Sequence, residues 1–516
     1  MRRYLLLLAV LMGGAAASSA QEAPSAPLPA TPAAAPQATS GAPADAASGG
    51  RALSLAEALQ LAEQAAETIR AAEADVARAE ALRRQARSEL FPQLGATGSY
   101  SRTLHSEFED VSLDFGGEGG DLSDLPFGQA NQYRLGLLVN QNVWSGGRIA
   151  AQTRAAAAGV SAALTGVDAT RAELALDVTQ AYFDAQLLDR LVTISEATLA
   201  QADRAFELTR LAREVGNQSE FEQLRAQVTR DNERPRLLRR RAERDFSYAR
   251  LTQLLGLPAD EPLDLTTNFA DFALWEARGA VPTTAERAAW LQRLVEERAP
   301  VRQAVAAVAV REQEVKIARA ERLPSVGVTS DYGRVAYPIG GLPAWADTRT
   351  NWTVGLGLRL PLLTGGRLAA QEGAARAILD EAQARLDRTR ELAWLDARDA
   401  LDRLATAEAV FQAAFGTISQ AQRAYEIAEL RYREGLSTQL ELNDTRIQLT
   451  FAQGNAALAA RNLQVSRARV ALLPDLPLGS GANALLDADA AGAGITTSAS
   501  AAAAAGVLTA STPGAF

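Results

Sequence analysis

The sequence predicts a mainly α-helical protein with a transmembrane β-barrel, built from two internal repeats. A Gly-Gly-Arg turn occurs at 146–148 and again at 365–367, each time after a segment of alternating apolar and polar residues. From the arginine of each turn, 68 positions lead to another glycine, Gly216 in the first repeat and Gly435 in the second. Both landmarks therefore recur at an offset of 219, which indicates one module used twice.

The composition narrows the possible functions. The 516 residues are rich in alanine, leucine, arginine and glutamate, which favours long helices over a mixed globular core. A net charge of −9 argues against a nucleic-acid partner. Because the chain has no cysteine and His105 is its one histidine, we expect no disulfide, no cysteine-linked lipid, no metal site and no cofactor.

The two ends of the chain differ in character from the repeats. Residues 1–20 have the pattern of a secretory signal peptide: Arg2 and Arg3, an apolar core, and small residues at a cleavage site. Residues 21–50 and the tail 474–516 are rich in small residues and are expected to be disordered. No later segment has eighteen uninterrupted apolar residues, so the chain would cross a membrane by strands.

The first repeat is predicted to span residues 51–258. A helix capped by Ser54, with Glu57 as its capping-box partner, should run to about Leu90 and stop before Pro92. A strand from Gln93 to about Leu104, a polar loop at 107–124 and a second strand then form a hairpin. The second strand alternates between an apolar face of Tyr133, Leu135, Leu137 and Val139 and a face that contains Arg134, Gly136 and Asn140.

The second repeat, 284–473, follows an irregular connection at 259–283. Its first helix is expected from about Thr284 to Arg322, before Pro324, and its strands at 325–335 and 351–363. The last strand places Trp352, Val354, Leu356, Leu358 and Leu360 on one face. A half-buried soluble sheet also gives this alternation. Small and charged residues on the second face, with aromatic residues toward the strand ends, favour a membrane barrel.

Each Gly-Gly-Arg turn should start a helix of about 67 residues, roughly 100 Å long at 1.5 Å per residue. The apolar residues of the second of these helices recur at coiled-coil spacing: Phe411, Phe415, Ile418, Tyr425 and Tyr432. Gly216 and Gly435 are expected to cap the long helices in a left-handed conformation. A returning helix follows each glycine, and we expect it to bend or break at Pro235 and at Gly454.

This duplicated order of helix, hairpin, Gly-Gly turn, long helix, glycine tip and returning helix resembles the TolC family of outer-membrane efflux proteins, over roughly residues 51–473. The resemblance implies a homotrimer with four strands per chain in a 12-strand barrel in the cell outer membrane, and a long coiled-coil α-helical tunnel in the periplasm. Four strands cannot close a barrel, and open strand edges are not tolerated in lipid, so the physics also favours a trimer.

The resemblance further implies the exit duct of a tripartite efflux or type I secretion system. Such a duct is a passive channel, not an enzyme, and is gated at its periplasmic tip. Its partners would be a periplasmic adaptor (membrane fusion) protein, which helps to open it, and an inner-membrane RND or ABC pump. Two alternatives remain: a structural coiled-coil envelope protein, or the adaptor itself, although an adaptor would carry one helical hairpin instead of two full repeats.

The resemblance also assigns candidate site residues. Acids that would ring the closed entrance, together with a tyrosine that would hold it shut, are Glu441, Asp444, Glu222 and Tyr432. Candidates for adaptor docking at the tips are Gly216, Asn217, Gly435, Leu436 and Ser437. The strand-to-helix turns are Gly146, Gly147, Arg148, Gly365, Gly366 and Arg367. Ser437 stands where the family archetype has an arginine, so other partners must close the entrance. As alternatives, the acids are ordinary solvated residues and the tip glycines are helix caps only.

Overall fold

The computed structural model describes residues 50–105, 131–258, 261–269, 275, 286–338, 343 and 348–479. The predicted signal peptide, the predicted disordered segment up to residue 49, the polar loop at 107–124 and most of the predicted tail lie outside the described residues, as does much of the 259–283 connection. Within the described ranges, none of the helices combines the length and the apolar character that crossing a membrane requires.

Helices dominate both repeats, and each repeat contributes two long strands. The first half contains β1 (Arg51–Leu53), α1 (Leu55–Ala65), α2 (Glu67–Ser88), β2 (Gln93–Arg102), β3 (Asn131–Trp144), α3 (Arg148–Glu214), α4 (Glu220–Leu254) and β4 (Leu263–Leu265). The second half contains α5 (Arg287–Glu297), α6 (Ala299–Ala320), β5 (Ser325–Ala336), β6 (Arg349–Arg359), α7 (Arg367–Arg433) and α8 (Gln439–Leu472). The two long helices α3 and α7 have 67 residues each, as predicted.

The prediction of one continuous helix before each hairpin was wrong. Ala66 separates α1 from α2 with ψ of 120°, and Arg298 separates α5 from α6 with ψ of 137°. These breaks lie 232 residues apart, as do Pro92 and Pro324, so they occupy corresponding positions in the two halves of the chain. Ala66 gives no sequence signal for it. In the second repeat, Pro300 in the first turn of α6 does mark a helix start.

Arg298 is held in the second break by buried polar contacts. Its side chain is fully buried and donates to Asp396 Oδ2 at 2.7 Å and to the carbonyl oxygen of Leu476 at 3.2 Å. Arg469 donates to the other carboxylate oxygen of Asp396 at 3.0 Å. Burial lowers the pKa of Arg298, although Asp396 opposes this effect. The buried ion pair therefore joins α5 and α6 to α7 and to the chain that follows α8.

The returning helices are continuous. Pro235 lies inside α4, which runs without interruption from Glu220 to Leu254, and Gly454 lies inside α8. The expected break at these two positions is therefore absent. The packing of α3 against α4, of α7 against α8, and of α3 against α8 forms a bundle of long helices.

The four long strands form one antiparallel sheet in the order β2-β3-β5-β6. Both predicted hairpins are present, and β3 pairs with β5, so the two repeats share one sheet. Directly paired residues share a face, which places the apolar side chains together. That face carries Leu94, Tyr100, Tyr133, Leu135, Leu137, Val139, Val326, Val328, Tyr332, Trp352, Val354, Leu356 and Leu358. Many are exposed in the single chain; Leu356, for example, is 74% accessible.

Away from the sheet, where α1 begins, a core forms around two aromatic residues of α3. Tyr182 and Phe183 are fully buried and pack edge to face with ring centroids 5.5 Å apart. The Tyr182 hydroxyl donates to the carbonyl oxygen of Leu53 at 2.8 Å and accepts from the backbone N–H of Thr267 at 3.0 Å. These contacts attach the short parallel pair of β1 and β4 to α3.

Two consecutive glycines turn the chain from each second strand into its long helix. Gly146 and Gly147 have φ of 63° and 88°, and Gly365 and Gly366 have φ of 57° and 84°. This left-handed region is costly for residues that carry a Cβ atom, by about 1–2 kcal/mol per residue. The arginine that ends each turn begins the helix; Arg148 pairs with Glu89 at 3.2 Å, and Arg367 donates to Gln371 at 3.1 Å.

We predict that Gly146→Ala destabilises the protein more than Gly365→Ala. Both changes force alanine into the left-handed region, but a Cβ at Gly146 would lie 2.8 Å from Leu323 Cβ and 3.0 Å from the Ala320 carbonyl oxygen, whereas one at Gly365 meets nothing within 4 Å. Such overpacking typically adds about 1–3 kcal/mol. Thermal unfolding followed by helical circular dichroism measures the difference. Equal melting temperatures for the two variants would contradict the prediction.

Candidate functional site at the helical tips

Both helical hairpins turn at a glycine in the same way. In the first hairpin, the backbone N–H of Asn217 donates to the carbonyl oxygen of Ala212 at 2.8 Å, and the backbone N–H of Gly216 donates to the carbonyl oxygen of Arg213 at 2.9 Å. Gly216 has a φ of 80°. The second hairpin repeats these bonds from Leu436 to Arg431 and from Gly435 to Tyr432, at 2.8 and 3.1 Å. This pattern is a Schellman motif, so both tip glycines are helix caps.

The returning helices are capped so that two predicted gate acids occupy equivalent positions. Ser219 and Thr438 are the N-cap residues of α4 and α8. Their side-chain oxygens accept from the backbone N–H of Glu222 and Glu441, each at 3.3 Å. Each acid is thus the third residue of its helix, where the helix dipole stabilises a negative charge. These glutamates therefore have a structural role, whether or not they also act in a gate.

Tyr432 connects the two repeats near the tips. Its hydroxyl lies 3.0 Å from Oγ1 of Thr209, a residue of α3 that is fully buried. Thr209 also donates to the Ala205 carbonyl oxygen at 2.8 Å. The hydrogen bond joins the end of α7 in the second hairpin to α3 in the first. Any motion that separates the hairpins at this level must break it.

Glu222 is also in contact with the second hairpin. The side chain of Gln439 is buried against it at the start of α8. With its amide nitrogen facing Glu222, Gln439 donates to the Glu222 carbonyl oxygen at 3.2 Å and to Oε2 at 2.6 Å. Glu222 and Tyr432, both predicted as gate residues, thus lie at two separate contacts between the hairpins.

Glu441 and Asp444, the other two predicted gate residues, have different surroundings from Glu222 and Tyr432. Glu441 pairs with Arg431 of its own hairpin at 3.1 Å, and both side chains are about half exposed. Asp444 is exposed, and no hydrogen bond or ion pair involves it within the part of the chain described here. Arg431 therefore supplies a guanidinium beside the predicted gate acid Glu441, whereas Ser437 contributes no charge. The hydroxyl oxygen of Ser437 is buried and has no hydrogen-bond partner among the described residues.

A buried ion pair lies deeper in the bundle and was missed from the sequence. Arg446 of α8 pairs with Glu233 of α4 at 3.2 Å, and the two side chains are 7% and 10% exposed. Arg446 also donates to Asn443 Oδ1 at 2.8 Å. A sequence signal existed: Arg446 falls between Leu442 and Leu449 on the apolar stripe of its helix. A charge at such a position requires a buried partner.

A small apolar cluster packs beside this ion pair. It contains Tyr425, Ala428, Leu442 and Leu449, with Tyr432 packed against it. Burial raises the pKa of Tyr425; Glu429 raises it further, and Arg204 opposes the shift. Of the predicted coiled-coil stripe of α7, Tyr425 and Tyr432 supply packing behind the tip contacts, whereas Phe415 is 59% exposed in the single chain. Within the described ranges, no group of three or more acidic, histidine or cysteine side chains is placed to hold a metal ion.

Comparisons with known proteins agree on one family. The model of the family described as "Outer membrane efflux protein" matches residues 58–257 and 290–484. A toluene efflux pump outer membrane protein of Pseudomonas putida, TtgC, is 26% identical over 372 residues, which cover 71% of each chain. The pyoverdine export outer membrane protein OpmQ, also of Pseudomonas putida, is 25% identical over 439 residues, 83% of this chain and 86% of OpmQ.

Solved structures show the same fold at lower identity. The CusC structure superposes with a TM-score of 0.67 at 19% identity and covers 81% of this chain and 91% of CusC. The outer-membrane channel OprN gives a TM-score of 0.66 at 22% identity, with 82% and 90% covered. VceC from Vibrio cholerae gives 0.65 at 22% identity, with 81% and 96% covered.

Proposed function

The chain belongs to the outer membrane efflux protein family, and on that premise we propose that it is the exit duct of a tripartite efflux system, closed at its periplasmic tips until partner proteins open it. Family membership makes it an outer-membrane efflux channel protein and not an enzyme. It also excludes the two alternatives left open by the sequence, the structural coiled-coil protein and the adaptor.

The exposed apolar face of the sheet carries the proposal of a trimeric barrel. The strands have 10 to 14 residues, and about 9–11 suffice for a tilted strand to cross a bilayer. Within the described residues, β2 and β6 are the outer strands of the sheet and have no second neighbour. Three chains joined through these edges would form a closed barrel of twelve strands, with the apolar face toward lipid and the small and polar face toward water.

The long helices would continue this barrel as a periplasmic tunnel. Helices α3 and α7, of 67 residues each, would reach about 100 Å from the sheet at 1.5 Å per residue. Three copies of the four-helix bundle would supply the wall. A duct that ends so far from the membrane needs a periplasmic adaptor and an inner-membrane RND or ABC pump to deliver its cargo. The names of TtgC and OpmQ, which mention toluene and pyoverdine, favour small organic molecules over polypeptides as that cargo.

The tips would act as the gate. Tyr432 and Glu222 support this role because each contacts the other hairpin of its own chain. Opening would move the second hairpin away from the first and break both contacts. Glu441 and Asp444 lie one helical turn apart, and three copies of each would encircle the axis of a trimer. Such rings of acids concentrate cations at a pore entrance.

We predict that Glu441→Gln combined with Asp444→Asn lowers the cation selectivity of the channel. The double variant removes two charges from each chain at the tip. A change of about one kT in the local potential alters the cation-to-anion permeability ratio by about sevenfold, because the local cation and anion concentrations change in opposite directions. Reversal potentials of single channels in planar bilayers measure this ratio. The matched control, Asp380→Asn with Glu391→Gln, removes the same charge from α7 at 55 and 44 positions before Gly435. The gate assignment would be contradicted if the tip variant left the cation-to-anion permeability ratio unchanged, or if the control variant changed it equally.

The outermost residues of the tips would form the adaptor-docking surface: Gly216, Asn217, Gly435, Leu436 and Ser437. Its support is exposed apolar area: Leu436 is 70% and Val215 is 72% exposed. A Cβ at Gly216 or Gly435 would meet nothing within 4 Å, so none of the residues that the structure describes covers these glycines. Exposed apolar patches commonly mark protein interaction sites.

For this surface we predict that Leu436→Glu abolishes cross-linking to the adaptor while trimers still assemble. A buried leucine contributes about 1.5–3 kcal/mol to an interface, and a desolvated carboxylate adds a further cost, so cross-linking yield should fall at least tenfold. Leu395→Glu changes an equally apolar residue that is 50% exposed in the middle of α7 and serves as the control. Retained cross-linking in Leu436→Glu trimers would refute docking at this position.

A further inference from the structure

Cationic residues are concentrated where the sheet meets the helices. The segments 83–91, 145–157, 316–324 and 367–376 contain ten cationic and three acidic residues, a net charge of +7 in a chain whose total is −9. We call these ten residues the basic belt: Arg83, Arg84, Arg87, Arg148, Arg154, Lys316, Arg319, Arg322, Arg367 and Arg376. The four segments are far apart in the sequence, and the fold brings them to one end of the sheet.

The belt has a defined depth along the molecule. Its members lie at the end of α2, the start of α3, the end of α6 and the start of α7. At 1.5 Å per residue, Arg83 lies about 8 Å from the end of α2 and Arg376 about 14 Å from the start of α7. The cations therefore form a band that extends roughly 15 Å along the helices from their ends next to the sheet.

Exposed apolar residues lie between the belt and the apolar face of the sheet. Phe91, Trp144 and Leu323 are 56%, 45% and 46% exposed, and they belong to the junctions between helix and strand. Along the molecule the order is therefore an apolar face, a boundary with aromatic residues, and then cations. A bilayer has the matching order of hydrocarbon, interface and charged headgroups.

The side chains of the belt are available to an external anion. All except the half-buried Arg148 are exposed. Glu372 accepts from Arg319 at 2.8 Å and pairs with Arg322 at 3.1 Å and with Arg376, so three guanidinium groups share one carboxylate. Those three side chains remain 45–56% exposed. Since a guanidinium has five N–H donors, each keeps donors for a second anion.

Another arginine-rich segment shows what a self-neutralised helix face looks like. In α4, Arg230, Arg240 and Arg244 pair with Asp231, Glu243 and Asp245, all at 2.7 or 2.8 Å. That segment supplies its own acids within three residues. The belt does not, because its ten cations have three acids within the same segments. Its excess charge is available to counter-ions from outside the chain.

We propose that the basic belt binds the headgroups of anionic phospholipids at the periplasmic face of the outer membrane. The proposal rests on the barrel of the proposed function, which would place the belt at the depth of that headgroup layer. Arginine and lysine side chains near a membrane surface each favour anionic over neutral lipid by about fivefold, equivalent to about 1 kcal/mol. The belt thereby fixes how deeply the sheet sits in the membrane.

The test uses the variant Arg83→Gln, Arg84→Gln, Arg87→Gln. These residues are exposed at the end of α2, and the one ion pair found for them in the described part of the chain is Arg84 with Glu80 at 3.6 Å, so the fold should be retained. The control variant, Arg234→Gln, Arg239→Gln, Arg423→Gln, removes the same charge from exposed positions in α4 and α7. Purified trimers are incubated with an equimolar mixture of phosphatidylglycerol and phosphatidylcholine, and the lipids that remain bound are counted by native mass spectrometry.

We expect the wild type and the control variant to retain phosphatidylglycerol at least fivefold over phosphatidylcholine, and the belt variant to lose at least half of this preference. The proposal is overturned if the wild type shows no preference, if the belt variant keeps all of it, or if the control variant loses as much. Trimers that insert into membranes without a lipid preference would contradict the belt alone. A protein that forms no trimer would instead contradict the proposed channel.

Discussion

Within the described residues, the four-stranded sheet leaves β2 and β6 each without a strand on one side. In water such edges are solvated, but in hydrocarbon each unsatisfied backbone group costs several kcal/mol. The face that carries Leu356 and Trp352 is also too apolar to remain in water at 74% and 69% exposure. Both demands are met together if the edges of neighbouring chains pair and the apolar face meets lipid. The proposed assembly, the position of the basic belt and the distance of the tips from the membrane all depend on this constraint.

The contacts at the tips explain how a channel without the archetypal tip arginine could still close. Tyr432 with Thr209, Gln439 with Glu222, and the buried pair of Arg446 and Glu233 all connect the second hairpin to the first within one chain. The neutral hydrogen bond of Tyr432 to Thr209 contributes about 1 kcal/mol, and the bond from Gln439 to the Glu222 carboxylate contributes about 1.5–3 kcal/mol. Both can therefore be broken by the binding energy of a partner. The buried ion pair is costly to separate because a lone charge would remain buried. Motion at the tips would therefore be confined to the part of the hairpins between Arg446 and the tip glycines.

The repeat made most of the fold predictable. Glycine pairs, tip glycines and alternating strands are local signals, and they led to both 67-residue helices and both hairpins. The break at Ala66 could not be predicted, because neither a glycine nor a proline marks it in the sequence; α1 and α2 on its two sides both pack against α3. Of the site, the acids and Tyr432 were found through the resemblance. Thr209 and Gln439 were missed because a threonine and a glutamine on long helices resemble many others until their neighbours are known. The arrangement between chains depends on residues that pair across an interface, which one sequence does not reveal.

Disulfide cross-linking between the sheet edges tests the assembly most directly, since the chain has no native cysteine. Cysteine pairs would join one of residues 96–98 in β2 to one of residues 353–355 in β6. Within one chain these strands are three strand spacings apart, about 14 Å, and a disulfide requires Cα atoms closer than about 7 Å. A pair at Leu138 and Asp331, directly opposite in β3 and β5, is the intrachain control. If the sheet edges of neighbouring chains pair, at least one edge pair of cysteines gives covalent trimers. Intrachain oxidation of the control without any linkage between edges, in protein embedded in membranes, would contradict this pairing.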